Sequence, residues 1–171
     1  TGTIVNYSNT PAEMLEVDQP LMIERYGLVP DSGGAGKYRG GLAVVRHIRF
    51  LSDEAVLQVR TDRHQNAPYG LEGGEKGAHA GLRLIRADGS HEDFFGPFLV
   101  NVQKGDMLQV NLPSGGGFGD PLERDPAHVL RDVAEGKVSV KHAAAAYGVV
   151  IDDQVSGVRQ AETEALRASR R

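Results

Sequence analysis

The sequence predicts a mainly β (α+β) fold, a β-sandwich or barrel-like domain with a small helical cap at its C-terminal end. The 22 glycines and 8 prolines cluster between apolar runs, as they do in turn-rich β architectures. About seven of these runs have the length or the alternation of strands. Helix-capping signals then replace the alternation, so we divide the chain into a glycine-rich β domain, 1–122, and a helical subdomain, 123–171.

The predicted strands follow a turn beginning at Tyr7, which leads into an extended or short helical segment near Glu13. Alternating or continuous apolar residues place the main strands at 21–29, 42–51, 55–60, 82–86, 98–103 and 107–112. The pair Asp88-Gly89 is typical of a hairpin turn. The last two strands are expected to pair through the turn 104–106. A buried face is predicted for Leu108, Val110 and Leu112.

Helix signals dominate the rest of the chain. Asp125 is a good N-cap, Pro126 suits the first helical position, and Gly136 suits a helix end. Ser139 is expected to cap a second helix that runs to Ala146. An extended segment is then predicted at 147–151 and a third helix from Gln154 to Arg171.

Composition narrows the class of function. The formal charge of −4 disfavours nucleic acid or an anionic membrane as a partner. The chain has no cysteine, which excludes disulfides, thiolate metal ligands and cysteine nucleophiles. No apolar run approaches the roughly 20 residues that span a bilayer, and no secretory signal pattern is present, so we expect a cytoplasmic protein. Because the chain begins at Thr1, a processed product or a fragment is expected.

Two glycine-rich loops are the most distinctive motifs. The first, 31–41, lacks the spacing of a P-loop and of a dinucleotide fingerprint. Its glycines favour either turns with positive φ or backbone N–H groups that face a ligand or partner. The glycines of the second loop, 115–119, favour close approach of another backbone or subunit. Asp120 is expected either to cap the turn before Pro121 or to make a polar contact. The residues predicted to contact a partner or line a substrate channel are Gly33, Gly34, Gly36, Arg39, Gly115, Gly116, Gly117, Phe118, Gly119 and Asp120.

The remaining candidates are weaker, and no metal ligand or catalytic residue is assigned. The cluster 91–93 is a poor metal site, and His64 is more typical of a loop histidine than of a catalytic one. Thr1 could act as an N-terminal nucleophile, although a chain boundary explains it more simply. Three arginines could bind an anion but usually pair or snorkel: Arg25, Arg39 and Arg46.

Several strings, in order along the chain, resemble the hydantoinase B/5-oxoprolinase family. The resemblance covers most of the chain, from about Asn9 to Ile151. The strings that carry it are 9–13, Glu24-Arg25-Tyr26, 30–41, Pro68-Tyr-Gly-Leu-x-Gly-Gly74, Gly105-Asp106, Pro113-Ser-Gly-Gly-Gly-Phe-Gly-Asp-Pro-Leu-Glu-Arg-Asp-Pro126, 129–133 and Tyr147-Gly-Val149.

This resemblance implies an ATP-dependent hydrolase of cyclic amides, with relatives among acetone and acetophenone carboxylase subunits. In such enzymes ATP binds to the A-type subunit, which activates the substrate carbonyl, and the B-type subunit completes hydrolysis. The chain resembles only the C-terminal portion of a B-type subunit. ATP with Mg²⁺ and a catalytic divalent metal are therefore expected elsewhere in the complex, and the expected partners are the N-terminal B-type portion and an A-type subunit.

Four hypotheses follow from the sequence. The first is a structural and interface portion of a hydantoinase/oxoprolinase B-type subunit that is inactive alone. The second is the equivalent portion of a ketone carboxylase. The third is a stand-alone module in which the two glycine loops bind a small anion. The weakest is a hydrolase that uses Thr1.

Overall fold

The computed structural model describes residues 9–152 and 154–170, and within them it has a mainly β architecture, as predicted. Seven strands come before three of the four short helices. In chain order the elements are α1 (Ala12–Asp18), β1 (Leu21–Leu28), β2 (Val44–Phe50), β3 (Glu54–Val59), β4 (Gly81–Ile85), β5 (His91–Phe94), β6 (Phe98–Gln103), β7 (Met107–Asn111), a 3-10 turn (Pro121–Glu123), α2 (Pro126–Ala134), α3 (Val140–Tyr147) and α4 (Gln160–Ala168).

The strands form two open antiparallel sheets. One has five strands in the order β1-β2-β7-β4-β5, and the other pairs β3 with β6. The β4–β5 hairpin turns at Gly89, which has φ 86°, as its sequence predicted. The sheets do not close, so the barrel-like alternative does not apply to the described strands.

The predicted pairing of 98–103 with 107–112 is wrong. Strand β6 pairs with β3 from Val59↔Phe98 to Glu54↔Gln103, whereas β7 lies between β2 and β4. The intervening turn carries the chain from one sheet to the other. It is fixed there because the buried Asp106 carboxylate accepts hydrogen bonds from the N–H groups of Gln103 and Ala87.

The core of the β part contains residues from both sheets. Leu84 and Val102 are fully buried, and Leu108 lies opposite Leu84 with 3% exposure. The predicted buried face of the last strand holds for Leu108, but Leu112 is 46% exposed. This difference arises because β7 ends at Asn111, so residue 112 has left the regular pleat.

The helix caps follow the sequence closely. The Asp125 carboxylate accepts from the Ala127 N–H at 2.8 Å, and the Ser139 hydroxyl accepts from the His142 N–H at 3.0 Å. Gly136 has φ 69° just beyond α2. Two boundaries differ from prediction, because Tyr147 ends α3 rather than beginning an extended segment, and α4 begins only at Gln160.

A second core joins the helices to the first glycine loop. Ala35 is 1% exposed and packs in a cluster with helical and C-terminal residues: Val129, Val138, Ala143, Tyr147, Val149 and Ile151. The division of the chain near residue 122 remains a prediction. Among the described residues, no helix has the length and apolar character needed to cross a membrane.

Candidate functional site

Three glycine-rich segments that are far apart in the chain pack backbone against backbone. We call this structure the glycine junction, and its segments are 33–41, 70–77 and 115–119. The Gly34 N–H donates to the Gly115 carbonyl at 2.9 Å, joining the first segment to the third. The Gly117 N–H donates to the Glu75 carbonyl at 2.9 Å, joining the third to the second. The junction is therefore one continuous backbone assembly.

Glycine is required here mainly by close approach. A Cβ on Gly34 would overlap the Glu75 carbonyl oxygen and would lie 2.6 Å from the Gly117 nitrogen. A Cβ on Gly117 would overlap the Ala35 carbonyl oxygen. Of the predicted loop glycines, only Gly119 has a positive φ, 74°. The close backbone approach that the second loop predicted is thus made by two other parts of the same chain.

Most of the amide groups in the junction donate to carbonyls of the chain. The N–H groups that do so are those of Gly34, Lys37, Tyr38, Gly40, Leu71, Gly74, Glu75, Gly77, Gly115, Gly117, Phe118 and Gly119. A nest that binds an anion needs several free N–H groups pointing at one place. The anion-binding alternative therefore lacks these donors.

The predicted glycines of both loops lie in the junction. The sequence analysis did not predict that Gly70 and Gly74, in the middle segment, also belong to it. Gly70 and Gly74 approach each other so closely that a Cβ on Gly70 would overlap the Gly74 carbonyl oxygen. The signal for them is present in the sequence, since their string belongs to those that carry the family resemblance. Local patterns place them only in an irregular segment, because their contacts with the other loops are not local.

The outer surface of the junction is apolar and exposed. The Tyr38 and Phe118 rings lie 6.2 Å apart between centroids, and the two residues also form an antiparallel backbone bridge. Tyr69 and Leu71 extend this surface, with exposures of 71% and 55%. We call these four residues the aromatic rim. Exposed apolar groups of this size commonly mark a contact surface for another protein.

Arg39 and Asp120, the predicted polar contacts, make hydrogen bonds within the chain. The Arg39 guanidinium donates to both carboxylate oxygens of Asp132 in α2, at 3.1 and 3.3 Å. The Asp120 carboxylate accepts from the Leu122 N–H at 2.8 Å and so caps the 3-10 turn. Arg39 therefore fixes the first glycine loop to the helices, and Asp120 performs the capping that its position before Pro121 favours.

The weaker candidates are dispersed. The His64 Nε2 lies 3.2 Å from the Thr61 hydroxyl, and Arg46 lies over the Tyr26 ring at 4.5 Å from its centroid. Asp93 of the cluster 91–93 pairs with Arg83, and within residues 9–152 and 154–170 no three His, Asp or Glu side chains are grouped to hold a metal ion. Thr1 lies outside the described residues.

A depression of about 380 Å³, lined by both polar and apolar residues, lies on the five-stranded sheet outside the glycine junction. Its walls include Gln109 and Asn111 of β7, Gly81 of β4, and His64 from the segment between β3 and β4. Next to Gln109 in the register lies His47 of β2. Burial, together with the charge of Arg25, holds the pKa of His47 below its usual value, against a smaller opposing effect of Glu24.

The fold and the glycine junction define a class of protein, a glycine-rich antiparallel domain held together by three interlocked loops. The chain belongs to the hydantoinase B/oxoprolinase family, whose model matches residues 2–121. This span contains all three segments of the junction. The family resemblance that the glycine-rich strings predicted is confirmed.

Curated relatives agree with this assignment. The chain is 37% identical over 163 residues to the beta subunit of the caprolactamase of Pseudomonas jessenii, covering 92% of the chain and 28% of the relative. It is 36% identical to the B-type subunit of a putative D-/L-hydantoinase from a Pseudomonas species, covering 86% and 25%. An uncharacterized protein of Methanocaldococcus jannaschii is 42% identical, covering 93% and 28%. The chain thus spans about a quarter of the length of these relatives.

Solved structures show the same fold. The crystal structure of the ATP-dependent caprolactamase from Pseudomonas jessenii matches 92% of the chain with a TM-score of 0.78 and 38% identity. That match covers 28% of the longer chain. A nucleotide-free acetone carboxylase structure matches 94% of the chain with a TM-score of 0.74, and at 24% identity it supports the fold alone.

Proposed function

We propose that the chain is the C-terminal structural and interface portion of a B-type subunit in an ATP-dependent cyclic-amide hydrolase of the N-methylhydantoinase/5-oxoprolinase type. The observation that carries this proposal is the glycine junction with its exposed aromatic rim. Such a rigid backbone assembly offers a fixed surface for another protein. The isolated chain is expected to be inactive, and the complete assembly is expected in the cytoplasm.

The chemistry explains why this portion needs no catalytic group of its own. An amide is a poor electrophile, and phosphorylation of its oxygen creates a leaving group that an activated water can then displace. ATP with Mg²⁺ would bind to an A-type subunit, and the divalent metal that activates water would bind to the N-terminal B-type portion. The present chain would hold these parts in position and shape the substrate channel with its loops.

The aromatic rim is the proposed contact with the rest of the B-type subunit. Tyrosine and phenylalanine are favoured at the centres of protein interfaces because they bury large areas with few rotatable bonds. Tyr38 and Tyr69 are 63% and 71% exposed, so most of their surface is open to such a contact. The relatives are roughly four times as long as this chain. The remaining part of such a subunit would supply the partner surface.

A ketone carboxylase is the second candidate, because the family that the glycine-rich strings resemble has relatives among acetone and acetophenone carboxylase subunits. The two candidates differ in what happens to the activated substrate, which is hydrolysed in one and carboxylated in the other. Turnover of ATP by the purified assembly, with a cyclic amide or with a ketone and bicarbonate, separates them. Dependence on the cyclic amide supports the first candidate, and dependence on ketone with bicarbonate rejects it.

Rim substitutions test the interface directly. Tyr69→Ser should weaken binding to the remaining B-type portion about tenfold or more, since an interface aromatic commonly contributes over 1 kcal/mol. Val56→Ser is the control, because Val56 is 64% exposed on β3 and lies outside the rim. Binding can be measured by titration calorimetry between this chain and that portion. Equal binding by both variants and the wild type would reject the rim as the contact.

A further inference from the structure

One face of the five-stranded sheet carries a continuous polar row. The residues of this row are register partners across all five strands: Arg25, His47, Gln109, Arg83 and Asp93. The next row contains Asn111 of β7 opposite Gly81 of β4. Because Gly81 has no side chain, a gap lies beside Asn111, and the depression of about 380 Å³ includes this gap. A volume of this size is enough for a small molecule.

The two charged side chains that line the depression, Arg83 and Asp93, pair with each other. The Arg83 guanidinium donates to both carboxylate oxygens of Asp93, at 2.7 and 2.9 Å. This bidentate geometry satisfies both groups and leaves no net charge to attract an ion. The ligand that this site favours is therefore uncharged.

Besides His64, whose Nε2 lies 3.2 Å from the Thr61 hydroxyl, the uncharged polar side chains that line the depression are two carboxamides. The side chains of Gln109 and Asn111 make no hydrogen bond with the described residues, although both line the depression. Each carboxamide presents a carbonyl acceptor and an N–H₂ donor side by side. A secondary amide presents the complementary pair, one N–H donor and one carbonyl acceptor. Phe95, which is 75% exposed at the edge of the depression, supplies an apolar wall for a hydrocarbon ring.

We propose that this depression binds a small, uncharged molecule that contains a secondary amide, with Gln109 and Asn111 pairing its N–H and carbonyl groups. The inference deepens the proposed function and rests on it, since a cyclic amide substrate has this chemistry. The site would hold the substrate on the polar sheet face, separately from the catalytic groups proposed for other parts of the assembly.

Binding is tested by nuclear magnetic resonance on the ¹⁵N-labelled chain, with ε-caprolactam as the probe. The side-chain N–H₂ signals of Gln109 and Asn111 should shift saturably, with a dissociation constant on the order of a millimolar for so small a ligand. N-methylcaprolactam has no N–H group, and it should bind about fivefold more weakly or worse. Absent or unsaturable shifts, or shifts confined to the glycine junction, would overturn the proposal.

Two glycine variants provide a matched test. Gly81→Ala adds a methyl group into the gap, 3.7 Å from the Asn111 side-chain nitrogen, which the fold can accommodate. It should weaken caprolactam binding about tenfold. Gly27→Ala, in β1, adds a methyl group with no atom within 4 Å and should leave binding unchanged. A second variant, Gln109→Ala, should also weaken binding about tenfold, and wild-type affinity in both Gly81→Ala and Gln109→Ala would contradict the site.

Caprolactam binding by the chain and cyclic-amide hydrolysis by the assembly, measured separately, distinguish this inference from the proposed function. If the complete assembly hydrolyses a cyclic amide with ATP while the chain binds no caprolactam, only the site proposed here is wrong. If the chain binds caprolactam as expected while the assembly does not hydrolyse cyclic amides, the site is supported and the proposed function is wrong.

Discussion

Arg39 in the glycine junction and Asp132 in α2 form an ion pair across 93 positions of the chain, with 3.1 Å between the Arg39 Nε and the Asp132 Oδ2. The same carboxylate oxygen accepts from Arg124 at 2.8 Å. The Asp132 side chain is only 8% exposed, and those of Arg39 and Arg124 are 15% and 12% exposed. One buried carboxylate therefore holds two arginines and connects the junction to the helices.

Asp132→Ala should destabilise the chain by about 3 kcal/mol, because it leaves two largely buried guanidinium groups without their carboxylate. Urea unfolding monitored by circular dichroism measures this loss. Glu123→Ala is the control, since it removes the exposed Lys37–Glu123 pair and should cost less than about 1 kcal/mol. Similar losses in the two variants would show that the buried pair is no stronger than a surface pair.

Substitution within the junction should be far more costly than substitution beside it. Gly34→Val should prevent folding or assembly, because the added side chain overlaps the Glu75 carbonyl oxygen and the backbone of the third segment. Gly41→Val is the matched control in the same loop, where an added Cβ meets no atom within 4 Å. Soluble yield and thermal unfolding compare them. A Gly34→Val protein that folds and assembles like the wild type would refute the packing described for the junction.

Asp106 gives a prediction for acid pH. Burial alone would raise its pKa, but hydrogen bonds from Arg86 and from the N–H groups of Gln103 and Ala87 outweigh burial and lower it. The carboxylate therefore stabilises the fold at pH values above its unfolded pKa of about 4, and this contribution is lost as pH falls through the lower folded pKa.

Asp106→Asn should accordingly reduce the free energy of unfolding by about 2 kcal/mol at pH 7, with the difference shrinking below about pH 4. Denaturant titrations at a series of pH values measure it. Asp93→Asn serves as the comparison, because its pair with Arg83 is 40–46% exposed and should contribute little. A deficit for Asp106→Asn that stays constant down to pH 2 would argue against the ionised carboxylate as its source.

Tyr147 gives a prediction for alkaline pH. Burial raises the pKa of this fully buried phenol to about 12. Because the folded state holds the proton more tightly, this stabilising contribution is complete below the unfolded pKa of about 10 and is lost as pH rises towards 12. The phenylalanine of the Tyr147→Phe variant cannot ionise. Between pH 10 and 12 the free energy of unfolding of the wild type should therefore fall by up to about 3 kcal/mol relative to that of the variant.

Near pH 7 the free energy of unfolding of the Tyr147→Phe variant should lie within about 1 kcal/mol of the wild-type value, because the Tyr147 hydroxyl has no hydrogen-bond partner among the described residues. Guanidinium titrations at pH 7, 10 and 11.5 provide the comparison. Tyr69→Phe, at a tyrosine that is 71% exposed, is the control and should follow the wild type at each pH. Parallel behaviour of Tyr147→Phe and the wild type would mean that the phenol is not protected from ionisation.

Local signals predicted much of the fold. The N-caps Asp125 and Ser139 and the end of α2 at Gly136 depend on hydrogen bonds between near neighbours, so sequence alone could identify them. Strand positions followed from alternation, and β6 was predicted at its observed bounds. The pairing of β6 with β3 could not be predicted, because the turn between β6 and β7 is fixed by distant contacts of Asp106.

The candidate site was predicted only in part for the same reason. Both glycine loops were identified as places of close backbone approach, and the structure brings them together. Their contact with Gly74, and the pairing of Arg39 with Asp132, depend on tertiary packing that no local pattern records. The polar row through Gln109 likewise requires the register of β2, β7 and β4, which follows from the sheet order.

Native mass spectrometry of the assembly that contains this sequence, purified at its natural expression level, tests the central claim most directly. We expect a complex that contains the rest of a B-type subunit and an ATP-binding A-type subunit. Isolation of the folded chain alone, at 18.4 kDa, would contradict the proposed role as an interface portion of a larger enzyme.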